Sequence, residues 1–74
     1  SIQYAISSTQ FVTLRVYDLL GREIVTLVNE EKAPGSYEVD FNPSSSIKNL
    51  ISGIYFYRLQ AGSFVETKKM ILIK

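Results

Sequence analysis

The sequence has 74 residues and a net charge of +1, with eight basic and seven acidic side chains and neither cysteine nor histidine. A chain of this length forms one small domain, and its balanced charge argues against binding to nucleic acid or an anionic membrane. The lack of cysteine and histidine excludes disulfides and thiolate metal sites and removes the commonest general base, so no cofactor is expected.

Alternation of apolar and polar residues dominates the first half of the sequence and predicts β-strands. "DLLGRE" predicts a turn at Gly21, because glycine takes a positive φ without steric cost. "IVTLVN" follows as a short strand rich in β-branched residues. Before the turn, "IQYAI" and "FVTLRVYD" each place their apolar residues on one face: Ile2, Tyr4 and Ile6 in the first strand, and Val12, Leu14 and Val16 in the second.

The strand pattern resumes after a polar segment. Asn29–Gly35 ("NEEKAPG") is predicted as a loop, and "SYEVDF" follows as a half-buried strand. "NPSSSIKNLISG" is the least regular segment, a serine-rich loop with one short strand predicted at Ile47–Ile51. "GIYFYRLQ" and "SFVETKKMILIK" are predicted as a hairpin joined at Ala61–Ser63. The whole pattern predicts an all-β sandwich of about seven antiparallel strands, with residues 1–74 as a single domain.

Side chains capable of catalysis are few and show no arrangement typical of an active site. Glu30 and Glu31 are adjacent, and paired carboxylates can do acid–base work when burial separates their pKa values. Next to Lys32 in a polar segment, however, such a pair is typical of solvated surface. Ser44–Ser46 have no base partner in the sequence, and no residues have the spacing of metal ligands. We therefore expect no catalytic residue, no metal site and no small-molecule substrate.

The aromatic residues allow two interpretations. Tyr55, Phe56 and Tyr57 are consecutive, so their side chains must point to both faces of one strand. In the first interpretation, Tyr55, Tyr57 and Leu59 fill the core while Phe56 lies under an edge or a loop. In the second, exposed rings form a platform for a sugar or a peptide. The core interpretation is favoured, because a small sandwich needs large residues and the sequence has no tryptophan, which is usual in carbohydrate platforms.

The last segment combines four apolar residues, Met70 to Ile73, with lysines on both sides. Adjacent Lys68 and Lys69 cannot share a face of a strand, so one of them points inward unless a bulge intervenes or the strand is an edge strand that is wet on both sides. A terminal edge strand with lysines at its borders is the ordinary explanation of this pattern. Exposed edge strands can add a strand from another protein or from a second copy, so self-association is also possible. No run approaches the roughly eighteen apolar residues of a membrane span. Because Ser1–Ser7 begins within a strand pattern, without methionine or a signal peptide, we expect a piece of a longer chain.

Four segments of the chain occur in a characteristic order and spacing. They are "VYDLLGREIVTLV" (Val16–Val28), "PGSYEVDF" (Pro34–Phe41), "ISGIYFYRLQAG" (Ile51–Gly62) and "ETKKMILIK" (Glu66–Lys74). Taken together, they resemble the type A C-terminal sorting domain of the type IX secretion system. Each motif alone is weak, but four in register, covering essentially the whole chain, make the resemblance specific.

The resemblance implies a small immunoglobulin-like β-sandwich that serves as a secretion address at the C-terminal end of a cargo protein. In this family the cargo folds in the periplasm, and the outer-membrane translocon then recognises the domain and exports the whole protein. A sortase-like peptidase usually removes the domain and anchors the cargo at the cell surface. The implied partners are therefore the translocon, the peptidase and an upstream cargo domain, and the implied localisation is secreted or cell surface.

The family's two glycine-x-tyrosine elements and its basic-flanked terminal strand have counterparts in this sequence. The family often has "PAGxY" where Pro34 here directly precedes Gly35, and its Asn/Pro-rich lead is absent before Ser1. The cleavage site is accordingly expected upstream of Ser1. The implied recognition residues are Gly35, Tyr37, Gly53, Tyr55, Lys68, Lys69, Met70, Ile71, Leu72, Ile73 and Lys74.

Two other functions are compatible with the sequence. A spacer domain resembling the accessory domain of the flagellar hook-capping protein would share the "VYDLLGRE" turn and the "GIYFYRL" strand without carrying a signal. The terminal segment up to Lys74 is the feature expected to separate a spacer from a signal. A carbohydrate-binding module appended to a hydrolase would instead require an exposed row of aromatic residues.

Overall fold

The structure, a computed structural model, describes residues 2–41 and 52–73, which form six β-strands and no helix. The all-β prediction is confirmed. The short strand predicted at Ile47–Ile51 lies outside the described residues. The strands are β1 (Ile2–Ile6), β2 (Gln10–Tyr17), β3 (Glu23–Lys32), β4 (Gly35–Val39), β5 (Gly53–Ala61) and β6 (Phe64–Leu72).

The strands pair into two antiparallel sheets. β1 and β4 form a two-stranded sheet, and β3, β2, β5 and β6 form a four-stranded sheet in that order. β2 and β5 each have two neighbours, while β3 and β6 lie at the edges of the larger sheet. Apolar side chains of β1 and β4 pack on one face of the larger sheet, here called its inner face; the opposite face is the outer face. The arrangement is the small sandwich that the sequence predicts.

The core lies between β1 and the central strands β2 and β5. Val12, Leu14 and Val16 alternate along β2, and each has 0% of its surface exposed. The residues between them turn to the outer face and are half-buried, as the two-residue period of a strand requires. β1 alternates in the same way, so both predicted faces are confirmed. The other buried apolar residues in the described ranges are Ile2, Tyr4, Ile6, Val28, Tyr55, Leu59 and Ala61.

Asn29–Lys32 are part of β3, so the prediction of a loop from Asn29 to Gly35 is wrong over these residues. The β2–β3 ladder continues to the pair Gln10–Lys32, at the very start of β2. Because β3 is an edge strand, exposed polar side chains do not prevent its backbone from pairing. The connection to β4 is reduced to Ala33 and Pro34.

The turn between β2 and β3 is organised by one carboxylate. Asp18 accepts hydrogen bonds from the backbone N–H groups of Leu20 and Arg22, each at 2.9 Å, and from Arg22 Nε at 2.8 Å. Gly21 has a φ of 84°, in the left-handed region that glycine enters without strain, which confirms the predicted turn. These bonds, chiefly that from the Arg22 backbone, hold the pKa of Asp18 below its ordinary value.

Leu14→Ala is expected to lower the free energy of unfolding by about 2–5 kcal/mol, because it opens a cavity at a fully enclosed side chain. Leu20→Ala removes the same atoms from a side chain that is 78% exposed and is expected to change stability by less than about 0.5 kcal/mol. Urea unfolding followed by circular dichroism measures both variants. Equal losses in the two would contradict the core assigned here.

Asp18→Asn is expected to make the acid destabilisation of the chain shallower. Since the folded-state pKa of Asp18 is depressed, its contribution to stability is present above the unfolded value, near 3.8. That contribution is lost as the pH falls through the lower folded-state pKa, and the asparagine variant has no such proton to take up. Melting temperatures measured in a pH series test this, and parallel curves for the two proteins would refute it.

Candidate recognition surface

β6 lies at an edge of the larger sheet and pairs with β5 along its whole length, from Ala61–Phe64 to Gly53–Leu72. The predicted hairpin and the predicted terminal edge strand are both confirmed. Among residues 2–41 and 52–73, no strand pairs with the other edge of β6. Such an edge presents a row of backbone donors and acceptors to a partner.

The apolar end of β6 divides between the two faces of the sheet. Met70 and Leu72 are half-buried and pack against the core cluster formed by β2 and β5. Ile71 turns to the outer face and is 68% exposed, and Ile73, just beyond the strand, is 86% exposed. Alternate residues of the apolar run therefore pack against the core, and the residues between them are exposed to solvent.

Both lysines within β6 are exposed, in agreement with an edge strand that is wet on both sides. Lys68 lies on the inner face opposite Tyr57, and its Nζ is 3.8 Å from a carboxylate oxygen of Glu66. Lys69 lies on the outer face, so the two charges flank the open edge from both sides. Lys74 lies outside the described residues.

The second glycine-x-tyrosine element lies directly beside the terminal strand. Gly53 is paired with Leu72, and Tyr55 is paired with Met70. The Tyr55 side chain is buried, so it supports the strand from the core instead of presenting a surface to a partner. The structure thus brings this element and the apolar end of β6 together.

The first glycine-x-tyrosine element lies in the other sheet, where Gly35 and Tyr37 of β4 pair with β1. The Tyr37 hydroxyl donates a hydrogen bond to the Ala33 carbonyl oxygen at 2.5 Å, and its ring stacks on Tyr4 with the centroids 5.3 Å apart. Lys32 Nζ lies 5.0 Å from the Tyr37 ring centroid. A tyrosine bonded to the backbone just upstream fixes the corner between β3 and β4. The two elements therefore contribute to different sheets and do not form one site.

The aromatic side chains form no exposed row within the described residues. Tyr55 and Leu59 are buried, and Tyr57 is half-buried between the two core clusters, which confirms the core interpretation. The large aromatic residues that remain exposed are Phe11 and Phe64, and they lie on opposite faces of the larger sheet. This arrangement counts against a carbohydrate-binding module.

Two exposed apolar residues after β2 were not predicted from the sequence. The turn after β2 places Leu19 and Leu20 in solvent. Tyr17, Leu19 and Phe56 line a shallow cavity of about 300 Å³, which places Phe56 next to the turn, as expected. The available signal was the pair of leucines in "DLLG", since apolar residues within a tight turn have no core to enter.

The described residues contain neither a working carboxylate pair at Glu30 and Glu31 nor a group of metal ligands. Glu30 forms an ion pair with Lys32 at 2.6 Å, whereas Glu31 is exposed on the other face of β3, so the two carboxylates do not act as a pair. No group of potential metal-ligating side chains occurs in the described part of the chain. No helix in residues 2–41 or 52–73 has the length and apolar character needed to span a bilayer. Ser44–Ser46 lie outside the described residues.

A family model described as the secretion system C-terminal sorting domain matches residues 1–74. The chain belongs to this family. The match confirms the type IX resemblance carried by the four sequence segments. Neither the curated proteins nor the solved structures yield a match. The family is a targeting domain without catalytic activity, and it directs export by the type IX machinery to the secreted or cell-surface state.

Tyr37→Phe is expected to lower the free energy of unfolding of this sorting domain by about 0.5–1.5 kcal/mol. The change removes the hydroxyl bonded to Ala33 and keeps the ring that stacks on Tyr4. Tyr17→Phe, on the outer face, is the matched control, with an expected change below about 0.5 kcal/mol. Chemical unfolding measures the free energy of unfolding of both variants. If Tyr37→Phe leaves that free energy unchanged, the ring alone, and not the hydroxyl, stabilises the corner.

Proposed function

We propose that residues 1–74 are the C-terminal sorting address of a larger secreted protein, and that the outer-membrane type IX translocon binds the terminal strand during export. The domain itself carries out no catalysis. The observation that carries this proposal is the division of the apolar end of β6. Met70 and Leu72 fasten the strand, while Ile71 and Ile73 remain in solvent beside an open sheet edge.

The displayed residues have the chemistry of a docking surface. Ile71 lies opposite Ile54 on the outer face, and both side chains are exposed, so the two form an apolar strip next to the edge of β6. Exposed apolar strips are unfavourable in water and become favourable when a partner covers them. A translocon component would bury the strip, pair with the edge through backbone hydrogen bonds, and contact Lys69 through an acidic group.

The recognition residues implied by the family motif have different roles in this proposal. The contacts with the translocon are made by Ile71, Ile73, Lys68 and Lys69, and Lys74, the next residue in the sequence after Ile73, is assigned the same role. Met70 and Leu72 hold the strand in place. The two glycine-x-tyrosine elements, Gly35 with Tyr37 and Gly53 with Tyr55, act through the shape of the domain, because Tyr55 is buried and Tyr37 is engaged at the β3–β4 corner.

The remaining steps concern the cargo. The cargo domain precedes Ser1, folds in the periplasm and crosses the outer membrane with this domain attached. A sortase-like peptidase then cleaves upstream of Ser1 and anchors the cargo at the cell surface. The domain is therefore needed for addressing and not for the activity of the cargo.

A structural spacer is the second candidate function. It is favoured by the turn at Asp18, where one carboxylate accepts three hydrogen bonds. A spacer would need β6 for stability alone. The exposure of Ile71 and Ile73 would then have no consequence for export.

Ile71→Ser/Ile73→Ser is expected to abolish surface delivery of a fluorescent cargo fused upstream of the domain, in a host with a type IX system. Both side chains are exposed, so the purified double variant should keep the stability of the native chain. Leu19→Ser/Leu20→Ser, at two exposed leucines on the turn, is the matched control and should be exported normally. Cargo fluorescence at the surface and in the periplasm is the measurement.

The outcome separates the two candidate functions. Periplasmic retention of the Ile71→Ser/Ile73→Ser fusion alone supports a sorting address, and normal delivery of both fusions leaves the spacer as the better account. Deleting Lys68–Lys74 is less informative, because the deletion also removes Met70 and Leu72 from the core.

A further inference from the structure

The open edge of β6 has a fixed arrangement of backbone groups. Ala61 and Phe64 flank the two-residue turn of the hairpin and so form a hydrogen-bonded pair, after which the two kinds of pair alternate along the ladder. The even-numbered residues of β6 therefore direct their N–H and C=O groups towards β5. The odd-numbered residues, among them Thr67, direct theirs outward, where no strand in the described part of the chain meets them.

The charges of β6 are complementary to an antiparallel copy of the same strand. Glu66 and Lys68 lie on either side of Thr67, on one face, and both are exposed. When Thr67 lies opposite the partner's Thr67, Glu66 comes opposite the partner's Lys68, and Lys68 comes opposite the partner's Glu66. These are non-hydrogen-bonded pairs, in which cross-strand side chains approach each other most closely.

We propose that two copies of this chain associate through β6 as an antiparallel strand pair whose two-fold axis passes through Thr67. The dimer joins two four-stranded sheets into one continuous sheet and forms two Glu66–Lys68 ion pairs between the chains. On the other face, Val65 lies opposite the partner's Lys69, whose aliphatic stem covers it. The proposal does not rest on the sorting function, but the dimer uses the same edge of β6 that a translocon component would pair with, so a copy bound to the translocon must be monomeric.

Charge and backbone pairing together favour this register over the neighbouring ones. If one strand slides by one residue, outward-directed groups of one chain lie opposite inward-directed groups of the other, and the ladder cannot form. If it slides by two residues, the ladder is preserved, but the axis then passes through Glu66 or Lys68. Glu66 lies opposite the partner's Glu66, or Lys68 opposite the partner's Lys68, and like charges directly opposite are unfavourable. The lysines that discourage pairing with other strands therefore permit pairing with this one.

Sedimentation equilibrium of the Ser1–Lys74 chain over a range of concentrations tests the proposal. The native chain is expected to show a monomer–dimer equilibrium that weakens as salt is added. Glu66→Lys and Lys68→Glu are each expected to weaken the dimer by about tenfold or more, because both ion pairs become like-charge pairs. The combined variant Glu66→Lys/Lys68→Glu restores every pair with its sign reversed and is expected to recover the native dissociation constant.

Thr67→Pro gives a second, independent variant. Proline is tolerated on an edge strand when the missing N–H is the outward one, so the β5–β6 ladder should persist while pairing between chains is lost. Circular dichroism at low concentration checks that each variant is folded. A chain that stays monomeric up to about 1 mM would overturn the proposal, because a dissociation constant above this value is too weak for a specific pair of strands. A dimer indifferent to the single reversals, or one that the combined variant fails to restore, would overturn it as well.

Discussion

The burial of one face of β2 is the constraint on which the rest of the structure depends. Val12, Leu14 and Val16 are the largest fully enclosed side chains in the described residues, and all three belong to this one strand. They are enclosed because β2 has a neighbour on each side within the sheet, while β1 packs over Val12 and Leu14 and Phe41 packs on the cluster that contains Val16. A slip of one residue would exchange them for Thr13 and Arg15, so the register of β2 fixes the registers of β3 and β5, and through β5 that of β6.

Distance from this centre explains why the terminal strand can be displayed. β6 is separated from β2 by β5, and only Met70 and Leu72, at its far end, reach the core cluster. The core uses only the side chains of Met70 and Leu72 from that segment, and because side chains alternate along a strand, the others are exposed to solvent. Stability and presentation therefore use different residues of the same short segment, with no additional loop or helix to carry the second role.

Much of the fold could be predicted from local alternation, because strands with one buried face carry their own signature. β2, with Leu14 at its centre, and the hairpin around Gly62 are examples. The extension of β3 over Asn29–Lys32 could not be predicted, since an edge strand with polar side chains resembles a loop until its partner is known. The recognition motifs could be placed in the sequence by resemblance alone. That Tyr37 and Tyr55 belong to different sheets depends on strand order, which no local pattern encodes.

The two-residue turn of the β5–β6 hairpin has a consequence for the order of assembly. Joining β2 to β5 brings Tyr17 to Phe56 and must close a long stretch of chain, which is the slow and entropically costly event. β6 needs no such closure, because it lies against the strand that immediately precedes it. A hairpin of this kind forms in about 1–10 μs, so β5 and β6 pair with each other before the slow joining of β2 to β5 brings both into the larger sheet. In the folded domain β6 can open from its end without disturbing the packing of β2, so we expect the displayed segment to be the first part of the sheet to open.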